Sequence, residues 1–440
     1  MGKGFKKTIA LALVFVLVLS LAACASTKPS EANPANAEAK KEPVVIKYPT
    51  YQVGVNAAAP LLKVNVEEFN KLHEGEIVVE IEEIPGDQAY VDKIKVLLSA
   101  NELPDLVYAG GYNLLDSALE KSAVVDLTPY LDADPQWKAM FADRDLEFNS
   151  REGKVYSVPE ERQPVGYFYN KELFQQAGIP EPPKTWDEFF SVCDKLKAAG
   201  ITPLSMDTAD TGWLTSLWLS SIIGTSGDAG NQYMNTMNVK DYTSPEVLDA
   251  IVKIQKMFLE YTTSDAVGGK YENGANNFLS GKTAMVANGP WMISDFSDAT
   301  KAPEGFAAKV GSAIYPNQGV FDAPMLGYFV ASKDKAHADA AVEFLKFLTS
   351  KETQLRGLEM IGRIPTTDAI EITSDIAAKH PLLVELIDAM KDAKFRYNFY
   401  QTLWYPNVLD KMSTDYPALA MNKMTPEEFA KRLTETAQKN

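Results

Sequence analysis

Two cysteines, Cys24 and Cys193, and three histidines, His73, His337 and His380, are the residues from which nucleophilic, disulfide or metal chemistry would be built. Their spacing builds none of these, because a disulfide framework needs more cysteines and a metal site needs ligands closer together in the chain. Neither metal nor cofactor is expected. No Gly-x-x-x-x-Gly-Lys-Ser/Thr loop is present, so the chain hydrolyses no nucleotide. Carboxylates and aromatic rings are abundant instead. With 43 Lys+Arg against 59 Asp+Glu, the formal net charge of −16 excludes nucleic acid as the main partner, since phosphate binding needs a clustered basic excess.

The elements that would position these residues begin at Val44. Val44–Tyr48 reads as a strand; Leu61, Leu62, Phe69 and Leu72 mark a helix stopped by Gly75; Ile77, Val79 and Ile81 alternate as a second strand. A helix with Tyr90, Ile94, Leu97 and Leu98 on one face and a buried strand Leu106-Val107-Tyr108 follow. That order implies a parallel sheet with right-handed crossovers, in which ligands sit beyond the carboxyl ends of the strands. Those ends are Tyr51-Gln52 and the Gly110-Gly111-Tyr112-Asn113 loop. Later helix starts are marked by Thr185-Trp-Asp-Glu188, by Ser244-Pro245-Glu246 and by Thr425-Pro426-Glu427-Glu428. Cys193 lies in a helical pattern from Trp186 to Ala199 and is read as a small buried hydrophobe. A hydrophobic share of 46% is enough for large cores in two or three domains.

Ahead of this body stand Lys3, Lys6 and Lys7, an apolar run from Ile9 to Leu21, and Leu21-Ala22-Ala23-Cys24. A basic segment, a short apolar segment and small residues are the marks of an export signal. Leu-Ala-Ala-Cys resembles a bacterial lipobox, which implies cleavage of residues 1–23 and acylation of Cys24. Two or more acyl chains would hold the chain on the outer face of the cell membrane without spanning it. Cleavage removes three lysines and no acid, taking the charge from −16 to −19, so the body should stand off anionic headgroups. Residues 24–43 lack large apolar side chains and read as a flexible tether.

Several segments, taken in order, resemble the extracellular solute-binding proteins of ABC importers, in the sugar and oligosaccharide branch. They are Leu103-Pro104-Asp105-Leu106-Val107, Gly153-Lys154-Val155-Tyr156-Ser157-Val158-Pro159, Tyr169-Asn170-Lys171-Glu172-Leu173-Phe174, Ala177-Gly178-Ile179 and Pro182-Pro183-Lys184-Thr185-Trp186-Asp187-Glu188-Phe189. Farther on come Phe278-Leu279-Ser280-Gly281-Lys282-Thr283-Ala284-Met285, Gly289-Pro290-Trp291, Ala340-Ala341-Val342-Glu343-Phe344-Leu345 and Ile364-Pro365-Thr366. The resemblance implies an α/β, two-lobed periplasmic-binding-protein-like fold. Residues 44–164 plus 329–365 would form the N-terminal lobe, and 165–328 plus 366–440 the C-terminal lobe. Crossings would fall near Pro164 to Tyr167, at Gly327-Tyr328 and from Gly362 to Pro365. It also implies a carbohydrate ligand captured by lobe closure, a monomeric binding component rather than an enzyme, and delivery to permease subunits served by separate ATPase chains.

A pyranose presents flat C–H faces and a rim of hydroxyls, so its site needs aromatic plates together with carboxylates, amides or Arg. By order against the family, the candidates in the second lobe are Trp291, Asp207, Trp213 and Trp218. In the first they are Tyr51, Gln52, Tyr112 and Asn113. Glu160, Glu161, Arg162 and Gln163 precede the first crossing, Arg363 sits at the third with a guanidinium that could fork two hydroxyls, and Trp404 lies in a C-terminal aromatic run. Trp186 is assigned to packing rather than ligand. Two alternatives stay open: a lipid-anchored glycoside hydrolase using Glu160 or Asp207 in a carboxylate pair, and the same fold with a non-sugar ligand.

Overall fold

The alternation between Val44 and Tyr108 folds into a half-lobe whose strand order is partly the expected one. The computed structural model describes residues 42–109, 114–322, 324–332, 334–367 and 369–440. Strand Val44–Thr50 pairs in parallel with Ile77–Glu83, Val44 opposite Ile77 and Thr50 opposite Glu83. The connecting helix Ala59–Leu72 buries Leu61, Leu62, Val66 and Phe69. Strand Leu106–Tyr108 lies beside Val44–Thr50 but hydrogen-bonds antiparallel to Tyr328–Val330, with Tyr108 opposite Tyr328. Among the described residues these strands thus form two separate pairs, one parallel and one antiparallel, and the second is completed only where the chain returns to this lobe late in the sequence. Helix Lys335–Leu348 then closes a core of Ile46, Tyr48, Phe69, Tyr90, Val107, Phe344 and Leu345. Leu326 and Tyr328 already belong to that core, ahead of residue 329.

A second core gathers Tyr167, Trp186, Phe189, Cys193, Trp218, Tyr400, Trp404, Tyr416 and Phe429. Its sheet runs in the spatial order Thr202–Ser205, Thr283–Asn288, Gly166–Asn170, Val310–Ala313. The first pair is parallel and the others are antiparallel. Helix Trp213–Gly224 is apolar on all sides and buried from Leu214 onward, as a helix inside a lobe must be. Thr185 and Thr425 cap their helices by accepting from the N–H groups of Glu188 and Glu428, each at 3.2 Å. The Glu188 carboxylate reaches the Lys184 N–H at 2.7 Å. Ser244 has cap geometry, yet its hydroxyl makes no capping bond. Cys193 is fully buried, and burial pushes its thiol well above the ordinary range, which suits a packing role.

The crossings are stitched to one another by backbone. Arg162 N–H donates to Ile364 O at 2.9 Å, Val165 and Phe321 exchange bonds at 3.0 and 3.1 Å, and Val158 and Tyr328 exchange bonds at 3.1 and 2.9 Å. Gly327 lies where a Cβ would stand 1.9 Å from the Val158 carbonyl oxygen and 2.5 Å from Pro159 Cα. Only glycine fits between two backbones that close. Gly327→Ala is accordingly expected to lower unfolding free energy by at least about 1–3 kcal/mol, the usual cost of overpacking, in denaturant titration; an unchanged midpoint would show that the crossings yield freely.

Candidate functional site

Between the two cores runs a cleft of about 430 Å³, within the range of roughly 300–1,000 Å³ usual for small-molecule sites. The crossings form its back wall through Glu161, Arg162, Gln163, Gly362, Arg363 and Ile364. Here one guanidinium is buried with two carboxylates. Arg363 Nη1 pairs with Glu160 Oε1, and its Nε lies 3.3 Å from Glu161 Oε2. Side-chain exposures of 9%, 5% and 13% for Arg363, Glu160 and Glu161 mean that water contributes little. Burial works against the Arg363 charge, but the two carboxylates more than offset it and hold the guanidinium above its ordinary pKa. Burial also pushes the Glu161 carboxyl up, partly offset by Arg363. Gln163 Nε2 donates to Glu161 Oε1 at 2.6 Å, and an Arg162 guanidinium N–H donates to the Thr366 carbonyl at 3.2 Å.

The second lobe supplies aromatic faces. Asp207 follows strand Thr202–Ser205, and Trp213 opens the next helix, so the two share one end of the sheet. Trp291 is brought to the same place by the Gly289-Pro290-Trp291 turn after strand Thr283–Asn288. A Cβ on Gly289 would lie 2.3 Å from the Trp291 ring, so glycine lets the indole fold back over the backbone. Trp213 and Trp291 stand 6.0 Å apart at 51°, and Phe399 stacks on Trp213 at 5.9 Å and 13°. Tyr271 adds a further wall, its hydroxyl accepting from Asn288 Nδ2 at 3.1 Å.

Asp207 is the polar group set among these rings. Its Oδ1 accepts from the Thr215 N–H at 3.2 Å, while its Oδ2 is buried without a protein partner although the residue lines the cleft. Burial pushes the carboxyl up to about 7, against the pull of the Thr215 and Leu214 N–H groups. From the first lobe, Tyr51 and Gln52 line the opposite wall, with the Tyr51 ring 5.5 Å from Tyr90 and 6.1 Å from Tyr108. Burial raises the Tyr51 hydroxyl well above its usual range, so it is a neutral donor.

Nine of the residues singled out from sequence thus line one cleft: Tyr51, Gln52, Glu161, Arg162, Gln163, Asp207, Trp213, Trp291 and Arg363. Tyr112, Asn113 and Cys24 lie outside the described residues. Trp218 does not reach the cleft: five residues after Trp213, it is turned about 140° around the helix and packs on Phe189, Tyr315 and Tyr167 at 5.0, 5.4 and 5.5 Å. Trp404 is also fully buried, wedged against Tyr242 at 5.1 Å and Tyr400 at 5.8 Å. Its aromatic run reaches the cleft through Phe399 and Gln401 instead. Glu160 lies behind the wall as a counter-ion, and the Arg363 fork is taken by Glu160 and Glu161 rather than left for two hydroxyls. Sequence reading missed Tyr271, Asp210, Asp295 and Lys301, which no motif marks; Lys301 Nζ is held by Asp295 Oδ1 at 2.7 Å.

Two α/β lobes joined by crossings that back a ligand-sized cleft define a two-lobed binding protein. The family profile described as bacterial extracellular solute-binding protein matches residues 65–383, and the chain belongs to that family. It is 26% identical over 378 residues to a multiple sugar-binding protein of Streptococcus mutans, covering 82% of each chain. It is also 26% identical over 235 residues to an sn-glycerol-3-phosphate-binding periplasmic protein of Rhizobium meliloti, covering 50% of this chain and 52% of the relative. Among solved structures, a chitin oligosaccharide binding protein aligns with a TM-score of 0.82 at 23% identity, over 90% of this chain and 98% of that one. A Streptococcus pneumoniae solute-binding protein in complex with the blood group A-trisaccharide aligns with a TM-score of 0.77 at 23% identity, over 90% and 100%. No helix among the described residues is long and apolar enough to cross a membrane.

The raised Asp207 carboxyl has a signed consequence for stability. Folding favours its protonated form, so its contribution is fully present below the unfolded value near 3.8 and is lost as pH rises through about 7. Between pH 4 and 7 the unfolding free energy of wild type should fall relative to Asp207→Asn, then run parallel above pH 7. Parallel curves across the whole range would show that Asp207 is solvated.

Proposed function

We propose that this chain is the carbohydrate-capturing component of an ABC importer, anchored on the outer face of the bacterial membrane and closing its lobes on a neutral oligosaccharide. The observation that carries the reading is the buried, unpartnered Asp207 Oδ2 beside Trp213 and Trp291. A hydroxyl rim would donate to that oxygen while the indoles bury the ring face. Tyr51, Gln52 and Gln163 would address the same sugar from the first lobe and the crossings. Contacts to both lobes are what a ligand needs in order to favour closure, because equal affinity for both forms shifts nothing.

Local charge separates this reading from a phosphate ester, the ligand named for the Rhizobium relative. Lys301 is held by Asp295, Arg363 by Glu160 and Glu161, and Arg162 is turned to the Thr366 carbonyl. Asp87, Asp207, Asp210 and Glu272 also line the cleft. A phosphate entering here would meet carboxylates and cations that are already engaged. The relatives and structures named for sugars support the same choice.

The closed, monomeric complex would deliver its sugar to permease subunits whose ATPases are separate chains. The role is capture rather than catalysis. Cys24 would carry the acyl anchor, and residues 24–43 would let the body reach the permease.

A thermal-shift screen against neutral oligosaccharides and sn-glycerol-3-phosphate tests the ligand class. A sugar at 100 times its dissociation constant adds about 2.7 kcal/mol of stability, Trp291→Ala should remove that shift, and labelled sugar should return intact from a one-to-one complex. A shift with the phosphate ester alone, or turnover of the sugar, would overturn the reading. For the anchor, Cys24→Ser should abolish incorporation of labelled palmitate; undiminished labelling would exclude Cys24.

A further inference from the structure

At the edge of the ligand cleft, where Asp210 and Thr211 line both it and a smaller cavity, the two lobes meet at a second place. Helix Asp87–Ala100 belongs to the first core through Tyr90, Val91, Ile94 and Leu98, and helix Pro406–Ala420 belongs to the second through Val408, Met412, Tyr416 and Leu419. Gln88, Val91 and Lys95 follow at intervals of three and four residues and so share one face. That face looks across a small cavity of about 30 Å³ at Pro406, Leu409 and Asp410. Lys95 Nζ and Asp410 Oδ1 lie 3.5 Å apart over it, with side-chain exposures of 31% and 60%. Neither residue lines the ligand cleft.

The location gives this pair a role that a surface ion pair within one lobe cannot have. Among the described residues, the chain passes from one lobe to the other at the crossings, which form the back of the cleft. A contact between side chains of different lobes away from the crossings is made when the lobes approach and broken when they part. The interface is also only partly filled: the cavity has room for about two water molecules, so it is a contact that separates without tearing a close-packed core. Nothing in it requires a ligand.

We infer that Lys95 and Asp410 form an inter-lobe latch that biases the ligand-free protein toward closure and so sets ligand affinity from outside the binding site. Apparent affinity scales with the fraction of protein already competent to bind, so a pair that never touches ligand still moves the dissociation constant. An exposed pair of this kind is worth about a 1.5- to 5-fold change in the ratio of closed to open forms. Because both partners are exposed, the bias should weaken with salt. The inference goes beyond the carbohydrate reading and does not depend on which ligand is bound.

The test needs no ligand. Nitroxide labels at Val64→Cys and Val252→Cys, exposed positions on helices of the first and second lobes, report the distance between lobes in the Cys24→Ser chain, with Cys193 buried. Double electron–electron resonance on the unliganded protein should show two populations of separation. Lys95→Asp and Asp410→Lys should each shift weight toward the longer distance by about 1.5- to 5-fold. The double exchange Lys95→Asp with Asp410→Lys should restore the original weights, which a merely structural role for either residue would not do. Raising sodium chloride should mimic the single variants in wild type and leave Lys95→Ala unmoved. Identical distance distributions for wild type and both single variants, or a double exchange that stays open, would overturn the latch. Failure of every sugar in the thermal-shift screen would leave this result untouched.

Discussion

One buried guanidinium constrains the rest of the molecule. Arg363 sits at a crossing between lobes with Glu160 and Glu161 against it and almost no water. A charge in that position is tolerated only while its partners stay in place, since removing one partner of a buried pair costs about 3–5 kcal/mol. The cluster therefore keeps the segment before residue 164 in register with the segment at 363, where Arg162 and Ile364 already share a backbone bond. Movement between lobes has to occur around this cluster rather than through it. The same cluster bears on what the cleft offers a ligand: the Arg363 guanidinium in its wall is engaged by carboxylates, and Asp207, Trp213 and Trp291 are among the side chains that line the cavity.

Aromatic residues do two different jobs in this chain, and helical phase separates them. Trp213 and Trp218 lie on one helix, yet only the first reaches the cleft, because five residues turn the second into the core beside Tyr167 and Phe189. Phe399 and Trp404, at either end of the short helix Tyr400–Leu403, also divide between cleft and core. The alternation of apolar residues made the half-lobe from Val44 to Tyr108 legible in sequence, and the motif order placed Trp291, Asp207 and the segment before the first crossing at a common site. What could not be read was direction. The pairing of Leu106–Tyr108 with Tyr328–Val330 joins residues more than two hundred positions apart, and no local pattern announces it. Likewise, Arg363 looked able to fork a sugar until the structure placed two carboxylates against it. Lys301 and Tyr271 carry no motif and are found only by geometry.

Asp207 links the packing to the chemistry. An unpartnered buried carboxylate oxygen is costly in the absence of a donor, and burial pushes the Asp207 carboxyl up to about 7, toward its protonated form. In the proposed binding mode, a hydroxyl arriving with its ring face against Trp213 or Trp291 would satisfy the oxygen and cover the aromatic surface together. Binding and closure would then share one source of free energy: the second lobe would hold the sugar face, and the first lobe would gain by meeting its other side. The inferred latch between Lys95 and Asp410 would add to that equilibrium without touching the ligand.

The most direct measurement is a crystal structure of the protein grown with a neutral oligosaccharide. Such a structure should show a sugar ring against Trp213 or Trp291, a hydroxyl within hydrogen-bond distance of Asp207 Oδ2, further contacts from Tyr51 or Gln52, and Arg363 still paired with Glu160 and Glu161. A sugar held by one lobe only, or an Arg363 that leaves its carboxylates to bind the ligand, would contradict the proposed binding mode.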